Sequence, residues 1–194
     1  MKQCGFFILI LILSGCTTSF ERTQQVYLLN SDVPIMDGSD EKVTSIVVID
    51  KILLAEYLMR PNLVMQVDGN QLYYSDMDLW AENLQTSIHR TLLAWLNEYA
   101  EDTRFVAYNA PEAAAGQKHL VVSIEHFMPT DKGTVISNGQ YWLIEKGQPS
   151  NQVSQQSFAL NSTLSQEGYS HSVTQLAKQL TQLSAQIVAD VESQ

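Results

Sequence analysis

The sequence predicts an α/β fold: a single three-layer-like domain with a mixed β-sheet of about six or seven strands packed by two long helices. Three observations carry this. The β-branched run Ile46-Val47-Val48-Ile49 has the pattern of a strand covered on both faces. Leu63–Val67 and Gln71–Tyr74 flank Asp68-Gly69-Asn70, a strong hairpin signal. Two long stretches place apolar residues every three or four positions, the repeat of an amphipathic helix.

Taken in order, Tyr27-Leu28-Leu29 reads as a short first strand, followed by a turn-rich stretch from Asn30 to Lys42 that holds Pro34 and Gly38. The Ile46–Ile49 strand and the hairpin come next. Asp76 or Asp78 is placed to cap the first long helix, whose stripe is Trp80, Leu84, Ile88, Leu92, Trp95 and Leu96 and which ends near Ala100. Three further strands are expected at Leu120–Ile124, Gln140–Glu145 and Val153–Leu160, the last beyond the turn Gly147-Gln148-Pro149-Ser150. The second helix runs from about Gly168 to Val191. Its apolar residues Val173, Leu176, Leu180, Leu183 and Ile187 step by 3, 4, 3 and 4. That regularity lasts only about two heptads, too short for a coiled coil, so a helix laid on the sheet is the preferred reading.

The N-terminus carries a different message. Lys2 is followed by the apolar run Phe6–Leu13 and then by Leu13-Ser14-Gly15-Cys16, the order of a bacterial lipobox. The run is far shorter than the roughly 20 apolar residues that a spanning helix needs. Ser14 and Gly15 are small enough for a signal peptidase cleft, so cleavage is expected between Gly15 and Cys16, with Cys16 lipidated. One acyl chain holds a protein only marginally, whereas two or more anchor it stably. Cys4 leaves with the signal peptide and Cys16 is then the sole cysteine, which excludes an intramolecular disulfide and cysteine metal sites. The residue after Cys16 is Thr17 rather than aspartate, which by resemblance to Gram-negative sorting signals favours the outer membrane, facing the periplasm. Residues 17–25 are polar and aperiodic, a tether of at most ~32 Å when extended.

The chain has 194 residues and a formal charge of −10. It has no electrostatic reason to bind nucleic acid or anionic head groups, and solubility explains the charge. No phosphate loop, no Gly-x-Ser-x-Gly elbow and no His-Glu-x-x-His spacing occurs. His89, His119, His126 and His171 are scattered, and on a regular strand His119 and His126 would face opposite sides. Glu125 beside His126 fails as an acid–base pair for the same reason. Neither an enzyme nor a cofactor or metal site is supported. Tyr141 and Trp142 point to opposite faces of one strand, leaving either as an exposed aromatic, for a partner or a lipid, or as a half-buried ring.

One series of segments is more specific. Glu56-Tyr57-Leu58-Met59-Arg60-Pro61-Asn62-Leu63-Val64 is followed by Asp68-Gly69-Asn70-Gln71-Leu72 and then by Leu79-Trp80-Ala81-Glu82-Asn83-Leu84. This series resembles the PqiC (YmbA) family, the ABC-type transport auxiliary lipoproteins. Leu79 stands where the family often has arginine, and Asn83 where it has proline. Arg60-Pro61 would end one element, and Arg60 would pair with a carboxylate such as Glu56 or Glu82, or face a partner. The resemblance implies three parts: a signal peptide over 1–15, a lipidated tether over 16–25 and the auxiliary domain over 26–192. It also implies a non-enzymatic role: docking the distal end of a periplasmic MCE-domain protein at the outer membrane, in an intermembrane lipid transport system that supports envelope integrity, with the copies forming a ring. Tyr57, Arg60, Asn62 and Trp142 are the candidate partner surface. The rival reading is a periplasmic lipid carrier or chaperone enclosing an apolar cavity.

Overall fold

The computed structural model describes residues 23–29, 33–34, 43–147 and 150–193. The lipobox, Cys16 and most of the turn-rich stretch before residue 43 lie outside the described residues. The elements are β1 (Gln25–Tyr27), β2 (Ser45–Leu54), β3 (Asn62–Val67), β4 (Gln71–Trp80), α1 (Leu84–Tyr99), β5 (Thr103–Ala107), β6 (Lys118–Pro129), β7 (Thr134–Glu145), β8 (Gln152–Thr163) and α2 (Tyr169–Glu192). Short 3-10 turns fill Glu56–Met59 and Pro111–Ala115.

The α/β class and the two long helices are as the sequence predicts. The strands divide between two sheets, one of five in the order β5-β2-β6-β7-β8 and one of three in the order β1-β4-β3. The larger sheet is mixed: β2 runs parallel to both β5 and β6, while β6, β7 and β8 alternate in direction. The hairpin meets the larger sheet through a single bridge, Gln66 to Thr130, and so remains a separate sheet. Both helices lie on one face of the five-stranded sheet. Val47, Ile49, Leu120, Val122, Tyr141 and Phe158 from the strands meet Ile88, Leu92 and Leu96 of α1 and Leu176, Leu180, Leu183 and Ile187 of α2. Gln179 is fully buried in this layer. Its side-chain amide donates to the carbonyl of Val135 and to Ser162 Oγ and accepts from Ser137 Oγ, so the polar residue among the apolar ones leaves no unmade bond.

Three local expectations are corrected and one strand is added. β4 extends to Trp80, which places Asp76 and Asp78 in a strand, and Trp80 belongs to the core below the helix rather than to the helix. The cap of α1 is Asn83, whose side-chain oxygen accepts from the N–H of Thr86. That asparagine thus has a physical role of its own. Strand β5 is an addition to the expected strands: Thr103–Ala107 is only five residues long, carries Arg104 and follows an acidic turn, so its local pattern is weak. Finally, a bulge between Ile124 and His126 resets the alternation of β6, so that His126 faces the same side as His119.

Candidate functional site

The face of the five-stranded sheet away from the helices holds the candidate surface. Along β7 it presents Asn138, Gln140, Trp142 and Ile144, alternating with Ser137, Gly139, Tyr141 and Leu143 on the core side. Trp142 is half-buried, flanked by Val121 on β6 and Gln155 on β8. Tyr141 is fully buried and donates its hydroxyl to Asp190 of α2, an arrangement that raises the phenol's pKa through burial first and the carboxylate second.

Tyr57, Arg60 and Asn62 form one cluster at the far end of this face. The Tyr57 hydroxyl donates to the carbonyl of Glu125, at 2.5 Å, and its ring stands edge-on to His126 at 6.3 Å. Burial is the largest cause that lifts Tyr57 to a pKa of about 12, so it is a neutral donor that locks the turn after β2 onto the β6 bulge. Arg60 lies 4.6 Å above the ring of Tyr74, a cation–π contact, and has no carboxylate partner among the described residues. Glu82 pairs instead with Arg90, at 2.5 Å, and accepts from Ser87 Oγ, which is the largest cause of its lowered pKa. The expected pairing of Arg60 with Glu56 or Glu82 is therefore corrected. Asn62 donates to the carbonyl of Ser75 at 2.8 Å, holding β3 to β4 where their register shifts. Of the four candidates, Arg60 and Trp142 offer unspent polar or aromatic surface, whereas Tyr57 and Asn62 are tied into the fold. The structure brings the first three together. Trp142 stands about 13 Å along β7 from the His126 pairing position.

Of the two aspartates expected to cap α1, Asp78 instead joins strands. Asp78 accepts from Tyr27 at 2.8 Å and from Ser75 at 2.6 Å, which fastens β1 to β4. Asp50, displaced by a bulge between Ile49 and Lys51, reaches His119 Nδ1 at 2.8 Å. Sequence reasoning missed this pair because 69 positions separate its members and a bulge aims one of them. Among the described residues no three histidine, cysteine or acidic side chains gather as a metal site. No helix among them is long and apolar enough to cross a membrane.

His89, on α1, is partly buried, and burial lowers its pKa below the ordinary 6.5. The unfolded chain then binds a proton that the folded chain refuses, so this contribution to stability is complete above about pH 6.5 and is lost as pH falls. The melting temperature of a His89→Gln variant should therefore fall less between pH 7 and pH 5 than that of the parent. Equal falls in a thermal melt would remove His89 from the account.

The clefts of the described surface are shallow. One, of about 580 Å³, is lined by residues including Asp50, Leu53, His89 and Tyr108; another, of about 500 Å³, lies between Met65, Tyr73, Leu164 and Tyr169. Neither is an enclosed apolar chamber, and the space between sheet and helices is filled by side chains.

Comparison identifies the class of this protein: the profile of the ABC-type transport auxiliary lipoprotein component family matches residues 27–188, and the chain belongs to that family. It is 25% identical, over a 196-residue alignment, to the intermembrane transport lipoprotein PqiC of Escherichia coli K12, covering 99% of this chain and 98% of that one. The same figures hold for PqiC of Shigella flexneri. Among solved structures, an uncharacterised protein superposes with a TM-score of 0.73 at 23% identity, covering 87% of this chain and 99% of its own. A Xanthomonas campestris protein gives 0.63 at 12% identity, covering 84% and 92%. These two share the fold.

Proposed function

We propose that this chain is the non-catalytic, membrane-anchored accessory subunit of an intermembrane lipid transport system. In this reading residues 1–15 are a signal peptide, cleavage falls between Gly15 and Cys16, and lipidated Cys16 holds the domain at the outer membrane, facing the periplasm. The domain receives the distal end of a periplasm-spanning MCE-domain protein, with more than one copy gathered there. The observation that carries the proposal is the near full-length match to a lipoprotein named for intermembrane transport. The filled core supports docking over carriage, because a carrier needs an interior for its cargo. The tether supports it too: nine residues reach at most ~32 Å, too short for the domain to act as a shuttle.

The test is photo-crosslinking in cells from positions 60 and 142. The expected capture is a periplasmic MCE-domain protein from both positions. Repeated capture of soluble proteins alone, or stoichiometric phospholipid copurifying with the domain, would replace docking with the carrier reading.

A further inference from the structure

The two neighbours of β2 do not cover it equally. β6 pairs with it from Val47 to Leu54, whereas β5 pairs only with Ser45–Ile49. Beyond Ala107 the chain turns away, with the Ala110 N–H donating to the Ala107 carbonyl. The end of β2, Asp50–Leu54, therefore has a partner on one side only, along about 17 Å of strand. Beside it lies the cleft of about 580 Å³, lined also by Thr86 and His89 of α1 and by Tyr108.

The hydrogen-bond phase identifies the open groups. Ala55 donates to the Ile124 carbonyl, so Lys51 and Leu53 bond β6, and the backbone groups of Ile52 and Leu54 face the open side. One of these is already met: the Ile52 carbonyl accepts from the side-chain amide of Gln85. That amide occupies the seat of a peptide N–H. The Ile52 N–H and both groups of Leu54 have no partner among the described residues. The flanks of this edge have a definite chemistry. Asp50 turns its carboxylate to His119, while Lys51 is exposed and forms no ion pair among the described residues. Leu53 and Tyr108 are exposed too. Lys51 pairs with Val121, which pairs with Trp142, so the open edge borders the candidate surface.

We propose that this edge takes a strand from the periplasmic partner. An extended segment of that protein adds to Asp50–Leu54 in line with β5, its backbone bonding Ile52 and Leu54 and an acidic side chain meeting Lys51. The inference rests on the docking reading and names the form in which the partner is bound. A row of open backbone groups selects an extended chain over a helix, whose own groups are spent internally. The charge selects its composition: a chain of formal charge −10 repels an acidic segment over most of its surface, and the unpaired cation of Lys51 attracts it here. Leu53 and Tyr108 give the segment apolar contact on either side of that charge.

Photo-crosslinking in cells from position 53 of the full-length lipidated protein tests this, with the attachment site read by mass spectrometry. The expected capture is the same MCE-domain protein as from positions 60 and 142, joined through one short segment that carries an acidic residue. Lys51→Glu reverses the charge, keeps every backbone group and should cut that capture by about fivefold or more. Leu54→Pro removes one outward N–H, spares the β6 ladder and should lower the capture similarly. Circular dichroism checks folding, and if Leu54→Pro unfolds, Lys51→Glu decides. Capture from 60 and 142 but not from 53 overturns the strand addition and leaves the docking reading standing. Capture at 53 that the folded variants leave unmoved, or capture there of a second copy of this chain alone, overturns it too. Absence of the MCE-domain protein at all three positions overturns both.

Discussion

Replacing Cys16 with alanine should move the protein from the membrane pellet to the soluble fraction while leaving the domain's melting temperature unchanged. Each acyl chain contributes ~0.8 kcal/mol per buried methylene, so two or three chains make dissociation negligible and none leaves nothing to hold the domain. No helix among the described residues can span a bilayer, and the acidic chain is not drawn to anionic head groups. Fractionation of cell envelopes reads the result directly. A variant that stays with the membrane through a high-salt wash would show that a folded surface, not the lipid, holds the protein.

Gly139→Ala should be the most damaging single-methyl change in the sheet. An added Cβ would lie 2.0 Å from the carbonyl oxygen of Ser123 and 3.1 Å from the Cα of Ile124, both backbone atoms of the neighbouring strand. No rotamer relieves a clash with backbone, so β6 and β7 must part at the centre of the sheet. Overpacking of this kind costs about 3 kcal/mol or more, against a total stability of roughly 5–15 kcal/mol. The melting temperature should fall by about 10 °C, or the protein should fail to accumulate. A fall of less than about 3 °C would show that the bulge opposite Gly139 absorbs the methyl group.

That bulge also marks where the sequence stops being readable. Regular elements are legible in it: α2 runs Tyr169–Glu192 where the stripe from Val173 to Ile187 places it, and β3 and β4 meet across Asp68-Gly69-Asn70, with Asp68 and Gly69 both at positive φ. What local pattern cannot carry is a one-residue offset paired across distance. The bulge beside His126 reverses the faces of every later residue of β6, and the one beside Asp50 aims a carboxylate at a histidine far along the chain. The candidate surface was legible in the same degree. Tyr57, Arg60 and Asn62 were found together because their segment is distinctive, yet their partners, Glu125, Tyr74 and Ser75, come from other strands and leave no trace in that segment.

The pairing of β1 with β4 sets how the protein bears load. On the anchoring proposed through Cys16, a pull from the membrane would reach Gln25, the first of three residues that run parallel to Asp78, Leu79 and Trp80. Because the chain enters β1 at one end and leaves at the other, a pull along the strand stresses those bonds together, in shear, with the Tyr27–Asp78 bond as a rivet. Val26 is 59% exposed, while Tyr27 packs against the core and Leu29, just beyond the strand, is buried within it. A pull that released the three residues of β1 would lengthen the tether by about 10 Å.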